Sequence, residues 1–201
     1  HALEIRLKLF GENHCDTAVT YYSLGVAQYE MKDYKSALDS HQHALQIRLK
    51  LFGENHVNTA QSYREIGITQ RNLKDYNLAL SSHQHALQIR LKLNGKYHSD
   101  TGLSYYYVGQ AQHNLKNYKS ALESYQHALE IRLKLFGENH CDTAVTYNNI
   151  GVAQYMMKDY KSALDSHQHA LQIRLKMLGE DHPDTAQSYR EIGITQENLK
   201  D

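Results

Sequence analysis

The chain has 201 residues, with 22 basic and 22 acidic side chains and a pI near 7.4. Balanced charge gives no electrostatic case for a nucleic acid or an anionic membrane as partner. No apolar run approaches the ~18 residues of a membrane span, and the glycines are too far apart in sequence for a phosphate-cradling loop.

The first residues, 1–13, read HALEIRLKLFGEN. The phrase returns at His43, His85, His127 and His169, every 42 residues without insertion or deletion. Ten of the eleven glycines obey the same period. Gly11, Gly53, Gly95, Gly137 and Gly179 form one column; Gly25, Gly67, Gly109, Gly151 and Gly193 form the other. Glycine here is positional, not linker material.

Residues 142–183 give the clearest copy of the unit. Ala144, Tyr147, Ile150 and Gly151 share one helical face, which predicts helix A over about 142–157. Tyr160, Ala163, Leu164, His167, Ala170, Leu171, Leu175 and Leu178 share another, which predicts helix B over about 160–177. Lys158-Asp159 breaks the pattern and suits a tight turn. Gly179 stands where a left-handed residue ends a helix, and Arg174 and Lys176 in the last turn offset the helix dipole. Pro183 suits the first position of the next helix A. The second glycine column lies inside helix A, at a cost of ~1 kcal/mol relative to Ala, which implies close helix approach there. Neither helix can bury its apolar face alone, so the hairpins must stack.

A partial helix B is expected at 1–10. Repeats follow at about 16–57, 58–99, 100–141 and 142–183, with a lone helix A at 184–199. The expected whole is one array, a slice of a longer one. Residues 1–75 match 127–201 at 65 of 75 positions, an offset of three periods, which reads as duplication of a three-repeat block. The copy at about 100–141 departs most, with Tyr105-Tyr106-Tyr107, Gly102, His113 and, just before it, Asn94.

The small and large positions Tyr147, Ile150, Gly151, Tyr160, Ala163, Leu164, Ala170 and Leu171 resemble the tetratricopeptide repeat. The 42-residue length, with HPDTA, NNIG, DYKSAL and ALQIR, is similar to repeats of the kinesin light chain type. The resemblance implies an all-α, right-handed superhelical solenoid of antiparallel helix pairs. It also implies a cytoplasmic, non-enzymatic protein-interaction scaffold whose helix A faces line a concave groove for peptide segments. The matching groove positions are Val19, Tyr22, Ser23 and Val26; Gln61, Arg64, Glu65 and Ile68; Leu103, Tyr106, Tyr107 and Gln110; Val145, Asn148, Asn149 and Val152; and Gln187, Arg190, Glu191 and Ile194. These columns vary while the packing columns stay fixed. Asn148-Asn149 matches the light-chain asparagine pair, whose amides can hold an extended backbone. The other reading is a structural or self-associating array, a spacer without a dedicated peptide ligand. The unpaired end helices are mutually complementary and predict head-to-tail association.

No cofactor or metal is expected. His41/His43, His83/His85 and His167/His169 are two apart on a helix, so each pair diverges and cannot chelate one ion. His41, His83 and His167 share a column with Tyr125, which predicts packing, and the other columns lie near the surface of helix B and in the GENH loop, where helix entry explains them. Cys15 and Cys141 lie three repeats apart, too far for a disulfide, and two isolated thiols fit a reducing compartment. The column Gln28, Gln70, Gln112, Gln154 and Gln196 predicts hydrogen bonds between helices, with tyrosine hydroxyls such as Tyr147 as partners.

Overall fold

The computed structural model describes residues 2–200; His1, where the partial helix B was expected to begin, and Asp201 lie outside the described residues. Ten α-helices and no strand occur among the described residues. They fall into two compact units, His1–Gly95 and Lys96–Asp201. The first holds α1 (Ala2–Phe10), α2 (Cys15–Glu30), α3 (Tyr34–Phe52), α4 (Val57–Asn72) and α5 (Tyr76–Asn94). The second holds α6 (Ser99–Asn114), α7 (Tyr118–Phe136), α8 (Cys141–Met156), α9 (Tyr160–Leu178) and α10 (Pro183–Lys200). Within each unit, helices adjacent in sequence pack together.

The turn from helix A to helix B is short, as at 157–159. Lys32, Lys74, Lys116 and Lys158 adopt φ of 62–67°, the left-handed conformation that closes a helix C-terminus. The next N–H then reaches back to the carbonyl five residues earlier, as from Asp159 to Gln154 at 3.0 Å. Asp33 and Asp159 also cap the following helix, accepting from the N–H of Ser36 and Ser162 at 3.2 Å.

The return loop is built differently. Gly53 adopts φ 77° and ψ −175°, a region essentially confined to glycine. Its carbonyl accepts from Thr59 Oγ1 at 2.9 Å. His56 then caps α4, its Nδ1 accepting from the N–H of Asn58 at 3.2 Å, and its ring stacks on Phe52 at 4.4 Å. His14, His98, His140 and His182 accept in the same way. The histidines ahead of each helix A are therefore caps.

Small residues carry the packing. Ala37, Ala44, Ala60, Ala79, Ala121, Ala163 and Ala170 are fully buried, so backbones approach closely. His41, His83, Tyr125 and His167 are also buried, and each lies against the helix A glycine of its own hairpin.

The glutamine column does join helices, but not through tyrosine. Ser40, Ser82, Ser124 and Ser166 of helix B donate to Oε1 of Gln28, Gln70, Gln112 and Gln154 at 2.6–2.8 Å. A short hydroxyl on the facing helix reaches the amide directly. Tyr147 instead stacks on His169 at 5.1 Å.

Arg174 does more than offset a dipole. It is 6% exposed and donates from Nη1 to the Asp184 carbonyl at 2.9 Å and Ser188 Oγ at 2.7 Å, both on α10. Arg48 reaches Asn58 and Ser62 of α4 in the same way, and Arg132 reaches Asp142 and Thr146 of α8. Each clamps a helix B to the next helix A inside its unit. Burial lowers the pKa of all three guanidinium groups, and the hydrogen bonds they donate from Nη1 offset part of the cost of burying the charge.

Candidate functional site

The helix A positions form a connected face within each unit. In the first, Tyr22 on α2 donates to Glu65 Oε1 of α4 at 3.5 Å and accepts from Gln61 Nε2 at 2.9 Å. Arg64 holds the same carboxylate from its Nε at 3.1 Å and its Nη2 at 2.5 Å. The Arg48 guanidinium lies 4.7 Å from the Tyr22 ring centre. Burial and then the Glu65 carboxylate raise the Tyr22 pKa, so the phenol stays a donor. Further along, Asn72 of α4 donates to the Tyr29 hydroxyl at 2.9 Å.

The second unit repeats the scheme with other residues. The Tyr106 hydroxyl on α6 accepts from Gln110 at 2.8 Å and from Asn149 of α8 at 3.3 Å. Its ring lies edge-on to Tyr107 at 5.8 Å and 4.8 Å from the Arg132 guanidinium. Asn198 of α10 donates to Tyr155 at 3.1 Å. The bonds from Asn149 and Asn198 each join one helix A to the next.

Exposure sorts the expected groove residues. Val19, Ser23 and Val26 are exposed, as are Gln187 and Arg190. Tyr22, Gln61, Arg64, Glu65, Ile68, Leu103, Tyr106, Tyr107, Gln110, Val145, Asn149, Val152, Glu191 and Ile194 are half-buried. Asn148 is only 8% exposed, and its Oδ1 is buried without a hydrogen-bond partner. The two asparagines therefore differ. Asn149 is tied to Tyr106 and to the Val145 carbonyl at the surface, whereas Asn148 sits in the layer.

Among the described residues, one set of side chains could gather around a cation, with ligand atoms of His14, Cys15 and Asp16 within 4.8 Å of one another. The His14 Nδ1 is already used as a helix cap. Both cysteines are exposed and free. No helix among the described residues is long and apolar enough to cross a membrane.

Helical hairpins stacked through small residues, with a hydrogen-bonded helix A face, define a helical-repeat protein. The tetratricopeptide repeat family matches at residues 1–50, 29–92, 59–134, 100–176 and 142–201, so the chain belongs to that family. BtubC (BKLC) from P. vanneervenii is similar in structure over 100% of this chain and 79% of its own, with a TM-score of 0.82 at 20% identity. A putative kinesin light chain from P. anserina, with nearly identical TPR-like repeats, matches over 93% of this chain and 89% of its own (TM-score 0.81, 15% identity). The apo form of RapI matches over 91% of this chain and 64% of its own (TM-score 0.80, 20% identity). No curated protein sequence matches the chain significantly. At these identities the likeness establishes the fold.

Proposed function

We propose that the chain is a non-enzymatic scaffold that binds an extended peptide segment along its helix A face. Membership of the tetratricopeptide repeat family supports the scaffold role. The observation that carries the peptide reading is the Tyr106 patch. An aromatic pair, the amides of Gln110 and Asn149 and the side chains of Val145 and Val152 lie half-exposed on neighbouring helices of one unit. The Asn149 amide nitrogen is engaged by Tyr106 and the Val145 carbonyl, which turns its Oδ1 towards the role of acceptor for a peptide N–H, and half-buried tyrosines supply apolar area with a polar end. A peptide selected from a library against the whole chain tests this. Tyr107→Ala with Asn149→Ala should weaken it by ~1 kcal/mol or more and leave the helical signal unchanged. Undiminished affinity in that double variant would remove this face as the binding site.

A further inference from the structure

A second surface recurs away from the helix A face, between the return loop and helix B. In the first unit, Glu54, Asn55, Tyr63, His85, Gln88 and Lys92 line a pocket of about 190 Å³. In the second, their equivalents two periods on, Glu138, Asn139, Tyr147, His169, Gln172 and Lys176, line one of about 350 Å³. One wall is built identically in both. Tyr63 stacks on His85 at 5.0 Å and 16°, and Tyr147 on His169 at 5.1 Å and 16°. Burial and the nearby Glu54 or Glu138 carboxylate raise both tyrosine pKa values, so these phenols remain neutral.

The copy between them carries a tyrosine of the chain itself at the corresponding place. There Lys96 and Tyr97 replace the Glu-Asn of the loop, and Glu130 replaces the glutamine. The Tyr97 hydroxyl donates to Glu130 at 2.7 Å, and the Lys134 ammonium stands 3.5 Å from the Tyr97 ring centre. Lys96 closes the group with a 2.8 Å ion pair to Glu130. Glu130 and Lys134 are the equivalents of Gln88 and Lys92, so the chain's own tyrosine occupies the wall that the copies at Gln88 and Gln172 leave open. Tyr97 remains 42% exposed, as a side chain reaching in from the rim must.

We propose that the pockets at Gln88 and Gln172 bind a tyrosine side chain of a partner polypeptide, in the manner of Tyr97. The ring would lie beneath Lys92 or Lys176 in a cation–π contact. The hydroxyl would donate to the glutamine Oε1, as Tyr97 does to Glu130. The smaller pocket has room for the ring, since a cavity of about 150 Å³ holds benzene. Glu54 and Glu138 favour a basic residue beside that tyrosine and disfavour a phosphate on it.

The test is a nitrogen–proton NMR titration of the whole chain with acetyl-Lys-Tyr-amide, a copy of Lys96-Tyr97. Saturable shifts are expected at the side-chain amides of Gln88 and Gln172. The Lys-Phe analogue should bind about fivefold more weakly, the factor one hydrogen bond supplies, and the phosphotyrosine analogue more weakly than the parent peptide. Transplanting the middle copy's residues through Glu54→Lys, Asn55→Tyr and Gln88→Glu should abolish binding at the first pocket and spare Gln172. Gln88→Ala alone, a milder change, should weaken the same pocket. Shifts confined to the helix A face, no saturation at either glutamine, or a Phe or phosphotyrosine peptide binding as well as the Tyr peptide would overturn the proposal.

Discussion

The backbone of Gly151 rests so closely on His167 that a Cβ there would lie 2.7 Å from the imidazole ring. Helix propensity favours alanine over glycine by ~1 kcal/mol, yet that gain is outweighed when the neighbour cannot move. Gly151→Ala should therefore destabilise the chain by ~1–3 kcal/mol, measured as a lower urea midpoint. Adding His167→Ala should recover much of the loss from the clash. A Gly151→Ala chain as stable as the parent would mean that His167 rotates aside at no cost.

The same ring column predicts a pH response. Burial holds His41, His83 and His167 below the usual histidine range, His83 at about 3. Arg48 and Glu65 face His41, Arg71 and Arg64 face His83, and Arg174 and Glu191 face His167. The unfolded chain takes up protons first, near pH 6.5. The stability from neutral histidine is present above that value and is lost as pH falls towards the folded pKa. For His83 the loss stops growing below about pH 3. Each such group contributes up to about 1.4 kcal/mol per pH unit inside that window. Tyr125 fills the same position in the middle copy, so replacing the three histidines by Tyr should flatten the dependence of the urea midpoint between pH 6.5 and 4.

Lys158 holds φ 64° in the tight turn, a conformation that costs a side-chain-bearing residue ~1–2 kcal/mol. Glycine avoids that strain but has a freer unfolded state. Lys158→Gly should stabilise by ~0.5–1 kcal/mol, read as a rise in the melting temperature. A fall would mean that the lysine side chain makes a compensating contact.

Arg132 joins α7 to α8 and lies beneath Tyr106. Arg132→Leu should remove the charged donor that the Asp142 carbonyl and the Thr146 hydroxyl share, the carbonyl keeping only the Thr146 hydroxyl as a side-chain donor, costing ~1–3 kcal/mol. Lys119, exposed on the same helix, serves as the control. Lys119→Leu should change stability by less than ~0.5 kcal/mol. Hydrogen exchange should show faster opening at the start of α8 in the Arg132 variant. Equal losses in the two variants would mean that the buried guanidinium holds nothing that an exposed lysine does not.

Helix boundaries, turns and the separate packing roles of the glycine and histidine columns were legible because they depend on spacing within one hairpin, while the contact between the two columns came from the structure. Tyr160–Leu178 and Pro183–Lys200 overrun the expected helices by a residue, the first at one end and the second at both. The arginine clamp was not legible as such. Its guanidinium reaches a carbonyl ten residues ahead, beyond the span of any helical pattern. The available signal was an arginine repeated at 6, 48, 90, 132 and 174 among apolar neighbours. Asn148 shows the opposite limit. Its column also holds Tyr22, Arg64 and Tyr106, and periodicity alone does not say which of them sinks into the layer.

The tyrosine links on the helix A face give the chain a direction. Tyr29 meets Asn72, and Tyr155 meets Asn198, each 43 residues on and one beyond its own repeat equivalent. The two ends of such a bond are unlike, so a repeat offers its successor something different from what it takes from its predecessor. The two links stand three periods apart, with Arg71 and His113 in the tyrosine column between them, so a block of three periods can be added or removed while each link keeps its partner, whereas a reversed block would meet its neighbours with mismatched partners. The near-identity of residues 1–75 and 127–201 is the kind of change such a polar, modular grammar permits.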